Sequence, residues 1–191
     1  MKKLIGLLFI GVISFSSCQS PEQKAAEKLK QDSIANEATK GTFLAAITDA
    51  EKVMRASKTY DQKLAMSTLK AYNDFTVKFP HDSMAAEYLF RAADLAQGAK
   101  NYEQAAVYLE MILDQHKDYK KYSDACFVAA FVYDTYLEDV NHGADRAKQL
   151  YQFIITNYPN TSYAEQSKVL MKYIGVPDSV MINDIINKGG K

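Results

Sequence analysis

Cysteine is scarce in this sequence: Cys18 and Cys126 are the only two. They could form one bridge at most, which excludes a disulfide-built miniprotein. Four prolines and eight glycines are too few for a collagen-like chain, and 48% hydrophobic residues are too many for a wholly disordered one. Charge of one sign is also missing, since 23 basic residues balance 23 acidic ones. With no basic field to concentrate phosphates, no nucleic-acid partner is expected. At 191 residues the length suits a single domain with room for a tail.

The motifs that carry catalysis are missing as well. His81, His116 and His142 have no histidine partner at i+4, and no cysteine pair supplies zinc ligands. They read as solvated histidines near helix ends, and neither a metal nor a cofactor is expected. No Gly-x-Ser-x-Gly elbow, phosphate-binding loop or dinucleotide fingerprint occurs, and carboxylates are scattered over polar faces. An enzyme is therefore not expected. Cys126 lies in the apolar run Ala125-Cys126-Phe127-Val128-Ala129-Ala130 with no adjacent base, the setting of a buried structural thiol. The stretch Asp139 to Asp145 resembles a calcium loop, but Ala144 and Leu150 occupy the places where such a loop needs Gly and Glu. A widened inter-helix turn is the better reading.

At the N-terminus, Lys2 and Lys3 precede an apolar run from Leu4 to Phe15, followed by Ser16-Ser17-Cys18. Twelve residues rise about 18 Å as a helix, short of a bilayer core of roughly 30 Å, so the run reads as a secretory signal. Ser16-Ser17-Cys18 resembles a bacterial lipobox, with Phe15 where leucine is usual. The resemblance implies a signal peptide over 1–17 and Cys18 as an acylated first residue anchoring the chain to a membrane. The competing reading is an ordinary signal peptide with a stray cysteine. Gln19 after the cysteine, where aspartate marks inner-membrane retention, implies delivery to the outer membrane, on its periplasmic face. Removal of 1–17 leaves 21 basic and 23 acidic residues.

Residues 18–41 carry few large apolar groups and read as the lipidated cysteine plus a flexible tether, with a helical domain over 42–191. From Phe43, Ile47, Ala50 and Met54 onward apolar residues recur at helical spacing, and no stretch alternates as a strand. The fold expected is all-α.

The chain also repeats itself. With Pro80, Lys117 and Pro159 set as equivalent, Thr68, Ala105 and Ala147 stand twelve residues earlier. Tyr72, Leu109 and Tyr151 stand eight earlier, and Phe75, Ile112 and Ile154 five earlier. Leu89-Phe90-Arg91-Ala92-Ala93 then aligns with Cys126-Phe127-Val128-Ala129-Ala130. The spacings are 37 and 42 residues, the second widened near Asp139–Gly143. Each unit reads as two antiparallel helices, close where alanines meet and filled by aromatics elsewhere. Pro80 and Pro159 end the helices before them, Gly98 is expected to make a turn, and Ser83 and Ser162 are expected to cap the next helices.

Tyr102-x-x-Ala105, Ala147-x-x-x-Tyr151-x-x-Ile154-x-x-x-x-Pro159 and the Pro-x-x-Ser-x-Ala segments at Pro80 and Pro159 resemble the tetratricopeptide repeat (TPR) family. The likeness is to its periplasmic members of outer-membrane assembly and Tol-associated type. It implies an α-solenoid of about three helix-turn-helix repeats over roughly 43–175 plus C-terminal capping helices. Lys117, in place of proline, and Met171-Lys172, in place of small residues, depart from the pattern.

The family's groove positions fall on Glu87, Phe90, Asp94 and Gln97, then Asp124, Phe127, Phe131 and Asp134. Acids and aromatics interleave there, so a basic or amphipathic peptide is the expected ligand; alternatively Phe90 and Phe127 simply contact the neighbouring repeat. The implied function is an outer-membrane-anchored periplasmic scaffold binding protein partners in an envelope assembly or transport complex. The alternative is a stand-alone module for an envelope peptide, a peptidoglycan-linked partner or a polysaccharide. Asp32-Ser33-Ile34, Asp82-Ser83-Met84 and Asp178-Ser179-Val180 also resemble an O-glycosylation signal, Ser33 being the accessible one; chance recurrence is the plainer explanation.

Overall fold

The structure, a computed structural model, describes residues 20–140, 142–176 and 178–189. The signal segment, Cys18, Gln19, Asn141 and Pro177 lie outside the described residues. Helix makes up 78% of the described residues and no strand occurs among them, so the fold is all-α.

Two units divide the chain, residues 1–39 and 40–191. In the first, the described residues form the opening of α1 (Pro21–Ala56). Pro21 takes the first helical position, where its missing N–H is not needed. Within the segment read as a tether, Pro21 to Gly41 is helical. Its Ala, Lys, Glu and Gln are strong helix formers, so backbone propensity acts without packing. The described side chains from Ser20 to Ala38 are all exposed.

The second unit is a solenoid in which helices pack in sequence order: α2 (Gln62–Lys78), α3 (Ala85–Gly98), α4 (Tyr102–Gln115), α5 (Tyr122–Tyr136), α6 (Gly143–Asn157) and α7 (Ser162–Leu170). A last helix, α8 (Asp178–Gly189), is joined to the turn after α7 by Tyr173, whose hydroxyl donates to Asp184. The C-terminal half of α1 lays Phe43 edge-on to Phe79, with centroids 5.7 Å apart.

The repeat alignment coincides with the three-dimensional equivalences. Thr68, Ala105 and Ala147 are fully buried on α2, α4 and α6, and so are Phe75, Ile112 and Ile154. Phe79, His116 and Tyr158 each end their helix at φ −129°, −131° and −130°, with the backbone N–H donated back to Phe75, Ile112 and Ile154. Three turns of one geometry, the middle one without its proline, show that the buried stripe sets the register and Pro80 or Pro159 only reinforces it. Alanines 92, 93, 129 and 130 are buried at the helix crossings, where a larger side chain would hold the backbones apart.

Several local expectations fail. Gly98 does not make the turn: it is the last helical residue of α3, and the left-handed residue is Lys100 at φ 60°. The Lys100 N–H reaches Gln97 O at 2.8 Å and the Asn101 N–H reaches Ala96 O at 2.8 Å, a Schellman closure that needs its left-handed residue two places later. Ser83 caps nothing on α3, where Asp82 Oδ1 instead accepts from the Met84 N–H at 2.9 Å. On α7 the cap is Thr161, which accepts from the Ala164 N–H at 3.2 Å, rather than Ser162. His116 is no solvated loop residue. It closes α4 at 8% exposure, and burial, aided by nearby His81 against the pull of Asp118, holds its pKa below the ordinary value. Cys126 is buried as read, and burial pushes its thiol up to about 12. Of the stretch likened to a calcium loop, Gly143 to Asp145 open α6, and Asp139 and His142 lie in the turn before it.

Candidate functional site

The first helices of successive pairs, α3 and α5, carry the candidate residues. Glu87, Phe90, Asp94 and Gln97 recur at three- and four-residue steps and so share one face of α3; Asp124, Phe127, Phe131 and Asp134 do the same on α5.

Most of these side chains already have partners inside the chain. The half-buried Glu87 accepts from Arg91 Nε at 3.1 Å, the Tyr119 hydroxyl at 2.8 Å and Lys121 Nζ at 3.1 Å. Burial alone would raise its pKa, but the bonds from Tyr119, Lys121 and Arg91 outweigh it and bring the carboxyl down to about 2. Arg91 also donates to Glu51 of α1 at 2.6 Å, and Glu51 takes a 2.8 Å bond from the Tyr72 hydroxyl and a contact from Arg55. A continuous charged network therefore ties α1, α2, α3 and the start of α5 together.

Phe90 faces Tyr119, with centroids 6.3 Å apart, and Lys121 Nζ sits 5.6 Å from its ring. Phe127 stacks on Tyr163 of α7 at 4.7 Å and also meets Tyr151. Gln97 bonds back to Ala93 O at 3.4 Å, and Asp124 accepts from Ser123 at 3.4 Å. Asp134 accepts from the Tyr151 hydroxyl at 3.1 Å, and burial keeps its pKa above the ordinary value against that bond.

Two candidates remain open to solvent. Asp94 is exposed, and Phe131 is 37% exposed midway along a helix otherwise rich in buried residues. The Phe131 ring meets Tyr136 edge-on at 6.1 Å, and Tyr136 lies parallel to Tyr102 of α4 at 3.6 Å. Phe131, Tyr136 and Tyr102 thus form an aromatic shelf where α5 ends and α4 begins. A cleft of about 690 Å³ opens between the α2–α3 and α4–α5 turns, bordered by Glu87, Arg91, Tyr119, His81 and His116.

Comparison with protein-family models and with curated protein sequences finds no match to this chain. The site's chemistry thus rests on its own geometry. Among the described residues no group of three or more His, Cys, Asp or Glu side chains is placed to hold a metal ion. No helix among them is long and apolar enough to cross a membrane.

Sequence reasoning missed Glu51, Arg91, Tyr119, Lys121, Tyr102 and Tyr136. One signal was present: Glu87 and Arg91 stand four apart, the spacing of an ion pair on a helix. The bonds of Arg91 to Glu51 and of Tyr119 and Lys121 to Glu87 join residues 32 to 40 apart in sequence, which local spacing does not encode.

Proposed function

We propose that the protein is a TPR-type lipoprotein, held at the periplasmic face of the outer membrane by an acylated Cys18. Its helical stack is a protein-protein scaffold in an envelope assembly or transport complex. The observation that carries the binding role is the open aromatic shelf around Phe131. A phenylalanine 37% exposed and braced by a stacked tyrosine pair keeps apolar area in water that only a partner would remove. Such rigid aromatic anchors dominate protein interfaces. Glu87 and Phe127, taken up within the chain, support the fold beneath this surface rather than contact the partner. The lipid anchor rests on the sequence around Cys18.

Purification of the full chain from membranes in mild detergent, followed by mass spectrometry, tests the scaffold role. A stoichiometric envelope complex is the expected result. Phe131→Ala should weaken it roughly 30-fold, the equivalent of about 2 kcal/mol, while the protein melts nearly as before. Asp94→Lys should weaken it in a salt-dependent way. A Phe131→Ala protein that is destabilised yet retains its partner would sink the assignment. Fatty-acid labelling lost in Cys18→Ser tests the anchor, and unchanged membrane fractionation of that variant speaks against it.

A further inference from the structure

On the first-helix face Glu87 is ion-paired within the chain, and a second group of carboxylates gathers elsewhere, along α4 and α6. A cleft of about 770 Å³ runs between α4 and α6, closed at one end by the α5–α6 turn. Its apolar lining includes Val107, Met111, Leu137 and Val140, and Val107 is 51% exposed although it sits in the middle of α4. Inside, Arg146 is held by both oxygens of Glu110, at 2.8 and 2.6 Å. That pair neutralises itself and fixes one wall. Glu103, Asp114 and Asp145 on the rim make no ion pair among the described residues.

Shape and charge together select the occupant. Glu103, Val107, Glu110 and Asp114 follow one another at steps of four, three and four, so they form a single stripe along α4. Eleven residues of helix rise about 16 Å, an elongated trough rather than a small-molecule pocket. An apolar trough edged by carboxylates suits a helix with an apolar face and cationic flanks. We propose that the α4–α6 cleft is a second docking site, and that its occupant is an amphipathic helical segment of a partner protein carrying lysine or arginine at its edges. The site is separate from the aromatic shelf at Phe131 and does not depend on it.

The test uses the full chain in phosphatidylcholine nanodiscs, with binding to empty nanodiscs subtracted. The probe is a fluorescein-labelled amphipathic helical peptide of leucine and lysine, set against a counterpart with glutamate for lysine. Anisotropy should show saturable binding of the lysine peptide only, weakening as salt rises from roughly 0.05 to 0.5 M. Asp114→Lys combined with Asp145→Lys should lower affinity about tenfold or more, as should Val107→Asp. Both changes lie at exposed positions, and thermal melts check that the fold is kept. Phe131→Ala should leave this binding unchanged. Equal binding of the glutamate peptide, no binding of the lysine peptide, or indifference to the α4–α6 variants overturns the proposal. Loss on Phe131→Ala alone assigns the peptide to the first-helix face and overturns it too.

Discussion

Replacing glycine by alanine at two helical positions should have opposite effects on stability. Gly98 ends α3, and a methyl built on it meets nothing within 4 Å. Removing the unfolded-state freedom of glycine should stabilise Gly98→Ala by about 0.5 kcal/mol, since the terminal position realises only part of the interior propensity. Gly143 opens α6, where the same methyl would lie 1.8 Å from the Leu137 carbonyl oxygen and 2.6 Å from its carbon. Side-chain contacts under 3.0 Å essentially never occur, and the obstacle is backbone, so the α5–α6 turn must shift by more than an ångström. That turn is closed by Gly143 N–H to Val140 O at 2.9 Å and Ala144 N–H to Glu138 O at 3.2 Å. It also seats the buried Leu137. Two hydrogen bonds at about 1 kcal/mol each, plus partial exposure of a leucine, put the loss at roughly 2–4 kcal/mol. Melting followed by circular dichroism at 222 nm should show Gly143→Ala on the order of 10 °C below the parent and Gly98→Ala slightly above it. A Gly143→Ala protein that melts with or above the parent would refute the close approach of α6 to Leu137.

Other outcomes follow from single contacts. Lys100→Gly should gain about 1 kcal/mol in a denaturant titration, because lysine at φ 60° carries the left-handed steric cost that glycine avoids. Ser167→Ala should be neutral or stabilising by about 1 kcal/mol, since the fully buried Ser167 hydroxyl has no partner among the described residues. Glu87 has a folded pKa near 2, below its ordinary 4.5, so its stabilising effect is complete above the ordinary value and fades as pH falls toward 2. Urea titrations should therefore show Glu87→Gln less stable than the parent at neutral pH, with the gap closing in acid.

How far the sequence could be read depended on the range of the physics involved. The helical period and the buried stripe act within a few residues, so residue spacing alone sufficed to align Phe75, Ile112 and Ile154 and to assign their three turns. The candidate face on α3 and α5 was legible for the same reason. Which of its residues remain free was not. Glu87 and Phe127 look as available in sequence as Asp94 and Phe131, yet stacking brings Tyr119, Lys121 and Tyr163 onto the first two.

By itself the sequence determined an all-helical chain, its repeat register and the alanines that let helices cross closely, because periodicity and side-chain volume are local properties. Tertiary structure alone decided that Lys100 rather than Gly98 turns left-handed, that Gly143 admits no methyl, and that Glu103, Asp114 and Asp145 border one cleft between α4 and α6. Those outcomes depend on the distance between backbone segments and on which charges the stacked helices bring within hydrogen-bonding reach, and neither quantity exists until the helices have packed.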